Sequence, residues 1–263
     1  MRPASLATVR AAIVACNDCP RLRRYCARIA REKKAAHRED TYWGRPVPGF
    51  GDPNARVLLV GLAPAAHGAN RTGRVFTGDG SGDFLLSAMH ATGFASIPTS
   101  RSADDGLTLR DAYILAAVRC APPDNKPTPD EIVRCRPHMA AEIAALPRVR
   151  VVVALGKIGH DAFLAHIAAT HGVRPRPRPP FAHGSQAVLG GGLPTLLGCY
   201  HPSRQNTNTG KLTPPMMRSV FMRARALVHR ARRSRSAAER HDHSQVLDQR
   251  IPALGQRRRG DRG

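Results

Sequence analysis

Four side chains that could act on a small heterocycle occur in three loop-like stretches of this sequence. Phe76 and Asp79 lie in a glycine-rich stretch, Asn125 lies among prolines, and His201 opens a polar stretch after an apolar run. An aromatic ring can stack on a flat base, an amide or imidazole can hydrogen-bond to its edge, and a carboxylate can orient water. Asp79 and Asn125 are also ordinary turn residues. The combination nevertheless predicts a binding site for a planar ring.

Short apolar runs precede these stretches and predict the elements that position them. The runs are residues 57–60, 113–118, 149–155 and 196–200, and helical patterns separate them at 83–90, 128–146 and 156–171. Alternating strands and helices of this kind predict an α/β fold with a parallel sheet and helices on both faces. Because parallel strands end at one edge of the sheet, their following loops should share a rim where ligands bind.

Basic helical segments flank this core. Residues 5–36 are predicted to be helical with an interruption at the Cys16–Pro20 corner, and a basic helix is predicted at 214–233. From residue 234 the composition is polar and arginine-rich, which predicts disorder. We therefore divide the chain into one domain, 1–233, and a basic tail, 234–263.

The charge of the chain indicates its partner. The net charge is +22, of which residues 223–263 contribute +8, so most of the excess lies in the body. Such an excess favours a polyanion, with phosphate contacts supplying much of the affinity. No apolar run reaches membrane-spanning length, and the N-terminus is a poor signal peptide. We expect a cytoplasmic protein with no membrane partner.

The six cysteines predict a metal site rather than disulfides in such a compartment. Cys16 and Cys19 form a C-x-x-C pair, and Cys120 and Cys135 are 15 positions apart. Four thiolates could hold zinc or an iron–sulfur cluster, and this spacing does not separate the two. Such a site would join the N-terminal helix to the loop after the second strand. Scattered reduced thiols are the alternative, and Cys26 and Cys199 are expected to be bystanders.

Four motifs together resemble a known family. They are the C-x-x-C, GLAPAAHGANRTGRVFTGDGSG at 61–82, RCAPPDNKPTPDEIVRC at 119–135, and HPSRQNTNTGKL at 201–212. The combination resembles the family 5 uracil-DNA glycosylases, the iron–sulfur branch of the uracil-DNA glycosylase superfamily, over roughly residues 15–230. The resemblance implies a three-layer αβα sandwich around a four-stranded parallel sheet. It also implies a monomeric repair enzyme that hydrolyses the N-glycosidic bond of a damaged base in double-stranded, and possibly single-stranded, DNA.

The resemblance further implies roles for individual residues. Phe76 would stack on the flipped base, His201 would hydrogen-bond to its carbonyl oxygen, Asp79 would orient water or stabilise the sugar cation, and Asn125 would contact a base edge or position water. The remaining implied residues are the pocket residues Ala63, Ala66, His67 and Gly68, the DNA contacts Arg71, Arg74, Ser203, Arg204, Gln205, Asn206 and Lys211, and the [4Fe–4S] ligands Cys16, Cys19, Cys120 and Cys135.

Departures from other branches of the superfamily predict a broad specificity. Leu62 and Ala63 are apolar where other branches carry a carboxylate or amide, and residues 115–117 are apolar where a related branch reads uracil with asparagine. We therefore expect hypoxanthine and other deaminated bases to be accepted besides uracil. The rival interpretations are a non-catalytic DNA-binding module and a redox-sensing iron–sulfur protein. A P-loop enzyme is disfavoured because no GK[ST] follows the first strand.

Overall fold

The predicted strands form the centre of one sheet in the computed structural model, which describes residues 4–229. The strands are β1 (Phe50–Gly51), β2 (Val57–Gly61), β3 (Ala112–Ala116), β4 (Val151–Leu155), β5 (Gln186–Ala187) and β6 (Thr195–Cys199). Their order across the sheet is β1-β3-β2-β4-β6-β5. The inner four are parallel, as predicted, and the register places Leu59 beside Ile114 on one side and Val153 on the other.

Two edge strands were not predicted. β1 and β5 are two residues long and pair antiparallel with β3 and β6. A two-residue strand is too short to carry an alternating pattern, so the sequence gives no sign of it. The sheet of the described residues therefore has six strands around the predicted parallel four.

Eight helices surround this sheet in the described part of the chain. They are α1 (Leu6–Ala15), α2 (Pro20–Glu32), α3 (Ala69–Thr72), α4 (Gly80–Ala91), α5 (Pro129–Ala144), α6 (Lys157–His171), α7 (Arg204–Asn208) and α8 (214–229). The α4 helix begins at Gly80 and not at Asp83, because Asp79 accepts a hydrogen bond from the Gly82 N–H as an N-cap. The predicted tail lies outside the described residues.

Successive strand residues pack on opposite faces of the sheet. On one face, Leu59 and Val153 belong to a core that includes Leu85 of α4 and Phe221 of α8. On the other face, Leu58, Val60 and Val152 pack in a core with Met139 of α5 and Phe163 of α6. This is the three-layer arrangement of helix, sheet and helix, with the carboxyl ends of β2, β3, β4 and β6 at one edge. None of the described helices combines the length and apolar character that a membrane crossing requires.

Candidate active site and cysteine cavity

Two loops meet at the carboxyl edge of the sheet. We call residues 61–82 the first loop and residues 200–212 the second loop. The ring of Phe76 from the first loop lies 5.9 Å, between centroids, from the imidazole of His201 in the second. Gly156, at the end of β4, packs under His201, where a Cβ would lie 3.3 Å from the His201 Cβ. The sheet thus brings together the two rings that the sequence placed 125 positions apart.

The backbone of Phe76 is held in an unusual conformation. Its φ is +52°, in the left-handed region that bulky residues rarely adopt. Two glycines allow this position: a Cβ on Gly61 would lie 3.2 Å from the Phe76 ring, and one on Gly82 would lie 2.3 Å from the Phe76 carbonyl oxygen. The ring therefore covers the end of β2, and its conformation is of the kind that clusters at functional sites.

The carboxylate of Asp79 lies between the two halves of the first loop. Its Oδ1 accepts a hydrogen bond of 2.9 Å from the Gly82 N–H. Its Oδ2 would be only 2.0 Å from a Cβ on Gly68, so only glycine fits there without a shift. Burial raises the pKa of Asp79, and the nearby Arg204 charge opposes the rise.

The imidazole of His201 is neutral at physiological pH. Burial lowers the pKa of His201 to about 4, because a charged ring is disfavoured away from water. Its backbone is fixed by Asn206, whose side-chain amide donates a 2.9 Å hydrogen bond to the His201 carbonyl oxygen. A neutral imidazole carries one N–H donor and one acceptor nitrogen. His201 can therefore donate to a carbonyl oxygen without carrying a charge itself.

The first-loop residues that are expected to line the base pocket make several contacts within the fold. His67 shares a 2.9 Å hydrogen bond between its Nδ1 and the Tyr42 hydroxyl, a partner that the sequence analysis did not identify. Gly68 faces Asp79, as described above. Ala63 packs on the cysteine-rich core below it, and Ala66 accepts, through its carbonyl, a hydrogen bond from the Asn70 amide.

Two predicted DNA contacts of the first loop also bind other parts of the fold. The Arg74 guanidinium is buried and donates to Thr77, Ser100, Ser102, Ala103 and Asp105, the last as an ion pair. Arg71 is mostly covered and joins Asp40, the His67 carbonyl and the Gly78 carbonyl. Most of these donors are used within the fold, and the phosphate contacts of Arg71 and Arg74 stay predictions.

The second loop keeps its polar side chains at the surface. Arg204, Gln205 and Lys211 are exposed, and the Lys211 ammonium lies 5.2 Å from the centre of the Tyr200 ring. Ser203 caps α7 by accepting from the Asn206 N–H. Asn125 lies on an exposed turn with φ +56°, where its backbone N–H donates to the Pro122 carbonyl.

The four predicted metal-ligating cysteines line one small cavity. Cys16 and Cys19 come from the turn between α1 and α2, Cys120 follows β3, and Cys135 lies in α5. Cys26, an expected bystander, packs in the same cluster and points its thiol at the Ala121 carbonyl. Within the described residues, the ligand atoms of Cys16, Asp18 and His138 also lie within 4.8 Å of one another.

The chemistry around the cavity suits a thiolate-bound metal. Burial raises the pKa of the Cys135 thiol to about 12, and the Arg119 charge opposes this rise. A thiol of this kind stays protonated at neutral pH unless a metal binds the sulfur and displaces the proton. The cavity also has the fully buried Arg119 in its wall, and its guanidinium nitrogens have no hydrogen-bond partner among the described residues. Sulfur donors with a buried cation beside them fit a group that carries negative charge.

Comparison with known proteins agrees with this arrangement. A family model described as the uracil DNA glycosylase superfamily matches residues 48–225. The chain is 52% identical over 215 residues to a type-5 uracil-DNA glycosylase of Thermus thermophilus, which covers 82% of this chain and 94% of that protein. Proteins of the same name from Mycobacterium bovis and Mycobacterium leprae are each 47% identical over 224 residues, or 85% of this chain, and over 82% and 96% of their own lengths.

Proposed function

The chain belongs to the uracil-DNA glycosylase superfamily, and we propose that it is a monofunctional type-5 uracil-DNA glycosylase. It would hydrolyse the N-glycosidic bond of uracil in DNA and leave an abasic site, which is the first step of base excision repair. The observation that supports this most directly is the approach of the Phe76 ring to the neutral imidazole of His201, with Asp79 held in the same loop as Phe76. We expect it to act as a monomer in the cytoplasm and to be associated with the bacterial nucleoid when it is on DNA.

Each residue has a part in the proposed reaction. The enzyme would first take the uracil out of the stack, which costs least when its pairing is weak. Phe76 would then stack on the base, an interaction worth about 1–3 kcal/mol. As the glycosidic bond breaks, the uracil carbonyl gains negative charge, and the His201 N–H would donate to that oxygen. The Asp79 carboxylate would stabilise the sugar cation and orient the water that attacks it.

We propose that the pocket accepts hypoxanthine as well as uracil. Residues Leu115, Ala116 and Ala117 are buried and apolar at the end of β3, so they offer no amide to the base edge. A pocket that recognises its base chiefly by stacking tolerates different bases. Asn125 stays a predicted contact to a base edge.

The positive charge of the second loop would hold the DNA backbone. Arg204, Gln205 and Lys211 are exposed on the side of His201, where they can meet phosphates or the space left by the flipped nucleotide. Double-stranded DNA is the proposed substrate, and a single strand would lower the cost of flipping the base.

We propose that Cys16, Cys19, Cys120 and Cys135 hold a [4Fe–4S] cluster. The cluster would supply a rigid cross-link between the α1–α2 turn and the segment after β3. Ala63 packs against the same cluster of residues, so the cross-link would support the first loop from below. Zinc is the alternative for a set of four thiolates, and iron and acid-labile sulfide measured in the purified protein would distinguish the two.

The activity is tested on labelled duplexes that carry a single uracil or hypoxanthine, followed by alkaline cleavage. We expect strand breaks at the lesion with the natural protein, and losses of about 100-fold or more with His201→Ala and Asp79→Asn. Asparagine keeps an oxygen that can cap α4, so Asp79→Asn should fold normally. The exposed residues His90 and Asp104 supply matched controls, His90→Ala and Asp104→Asn, which should retain full activity.

Two results would contradict the proposal. Unbroken strands at saturating DNA, with the protein folded, would favour the DNA-binding module without catalysis. Full activity in both site variants would show that the reaction occurs elsewhere.

A further inference from the structure

Arg119 is a buried cation that forms an ion pair with Glu142 but no well-formed side-chain hydrogen bond within residues 4–229. It follows β3 and is 1% exposed. Its Nη2 lies 2.6 Å from Glu142 Oε2, but none of its side-chain nitrogens has a hydrogen-bond partner within residues 4–229. A guanidinium has five N–H donors, and leaving them unpaired in a core is costly. A structural ion pair therefore does not by itself account for this arginine.

Glu142 is occupied on its other side. Its Oε1 accepts from the Gly49 N–H at 2.7 Å and from the Tyr113 hydroxyl at 3.2 Å. The carboxylate thus holds β1 and β3 together, and only Oε2 faces Arg119. Most of the guanidinium N–H groups are therefore available to a partner other than Glu142.

The other neighbour of Arg119 is the cysteine cavity. Arg119 is one of the residues that line that cavity, together with Cys16, Cys19, Cys120 and Cys135. Its backbone N–H also donates to the Cys135 sulfur at 3.3 Å. On α5, Cys135 and Glu142 are two turns apart and therefore share one helix face. Arg119 therefore contacts the Cys135 sulfur through its backbone and the Glu142 carboxylate through its guanidinium.

We propose that Arg119 is a positioning residue for the cluster, supplying positive charge and N–H donors to its sulfur atoms, while Glu142 holds the guanidinium in place. The inference rests on the proposed [4Fe–4S] cluster. Four thiolates give such a cluster a net negative charge, and net charge and hydrogen bonds to sulfur set its reduction potential and its retention. The unpaired donors and the cavity they line are then parts of the same site.

The test uses the full-length protein with its iron and sulfide content measured first. The main variant is Arg119→Met combined with Glu142→Gln, which leaves no unpaired charge in the core. We expect its reduction potential, followed in a spectroelectrochemical titration, to be more negative than that of the natural protein. We also expect iron loss to a chelator to be about tenfold faster. Arg119→Lys, which keeps the charge but not the planar fork, should lie between the two.

Glu142→Gln alone should shift the reduction potential of the cluster in the opposite direction. It leaves the Arg119 charge less neutralised, so the reduction potential should become more positive than that of the natural protein. If the ion pair were purely structural, the two variants would not shift the potential in opposite directions. The inference is wrong if the double variant keeps both the natural potential and the natural rate of iron loss. A natural protein that holds no iron would instead refute the cluster itself, and this inference with it.

Discussion

The two loops at the carboxyl edge of the sheet use their polar residues in opposite ways. In the first loop, Arg71 and Arg74 bind other parts of the fold, and Asp79 caps a helix. In the second loop, Arg204 and Lys211 remain exposed. The first loop is therefore a rigid frame that fixes Phe76 and Asp79, and the second loop is a surface for contact. Sequence composition does not separate the two, because both loops are basic and glycine-containing.

The largest effect is expected from a substitution that fills the space beside Asp79 and displaces its carboxylate. In Gly68→Ala the new methyl group would fall 2.0 Å from Asp79 Oδ2, so the loop or the carboxylate must move. A displacement of about 1 Å at a reacting group can cost on the order of 100-fold in rate, which is the loss of activity on uracil DNA that we expect. Gly80→Ala is the matched control, since its methyl group meets only Arg204 Nε at 3.8 Å. Equal activities of the two variants would contradict the role given to Asp79.

The contacts of Arg74 within the fold should contribute to the free energy of unfolding. Arg74→Ala leaves Asp105 without its buried partner, and breaking such a pair costs about 3–5 kcal/mol in the free energy of unfolding. Urea denaturation measures this loss. Arg204→Ala, at an exposed arginine, should change the same free energy by less than about 0.5 kcal/mol. If Arg74→Ala loses little free energy of unfolding but binds DNA more weakly, the result would support the predicted phosphate contact instead.

The exposed cations of the second loop should contribute to the salt dependence of DNA binding. Arg204→Ala and Lys211→Ala each remove one cation from the exposed surface. Each should reduce the slope of log Kd against log salt concentration by about one, whether or not the duplex carries uracil. Fluorescence anisotropy between 50 and 200 mM salt measures the slopes in the Asp79→Asn background, in which cleavage is expected to be slow. Unchanged slopes in both variants would mean that the DNA lies on another face.

The smallest expected effect concerns pH and stability. Burial lowers the pKa values of His201 and His166 to about 4, whereas an unfolded imidazole titrates near 6.5. Between these values the unfolded chain binds more protons, so the free energy of unfolding should fall as pH drops from 6.5 towards 4. The raised pKa of Asp79 acts in the opposite direction.

His166 allows this to be measured away from the site. His166→Phe should weaken the pH dependence of urea denaturation between pH 6.5 and 4.5, and it should leave activity unchanged. The exposed His90→Ala should follow the natural protein. If the free energy of unfolding depends on pH equally in all three proteins, His166 is not buried in its neutral form.

The parts of the fold that the sequence predicts are those that depend on short-range patterns. The parallel strands follow from apolar runs, and the approach of Phe76 to His201 follows from strands that end at one edge. The partners of Arg71, Arg74 and Arg119 do not follow, because Asp40, Asp105 and Glu142 are 23 to 31 positions away and only the fold selects them. The start of α4 was misplaced for a local reason: the Asp79 cap outweighs two glycines.

The left-handed backbone of Phe76 has a consequence for how quickly a damaged base is captured. Side-chain rotation about χ1 takes little time, but moving this ring away from β2 would also require the backbone between Gly61 and Gly82 to rearrange. The stacking surface is therefore in place before any DNA arrives. Opening of the base pair, rather than closure of the protein, should limit the rate of capture, so substrates should rank by how readily their pairs open.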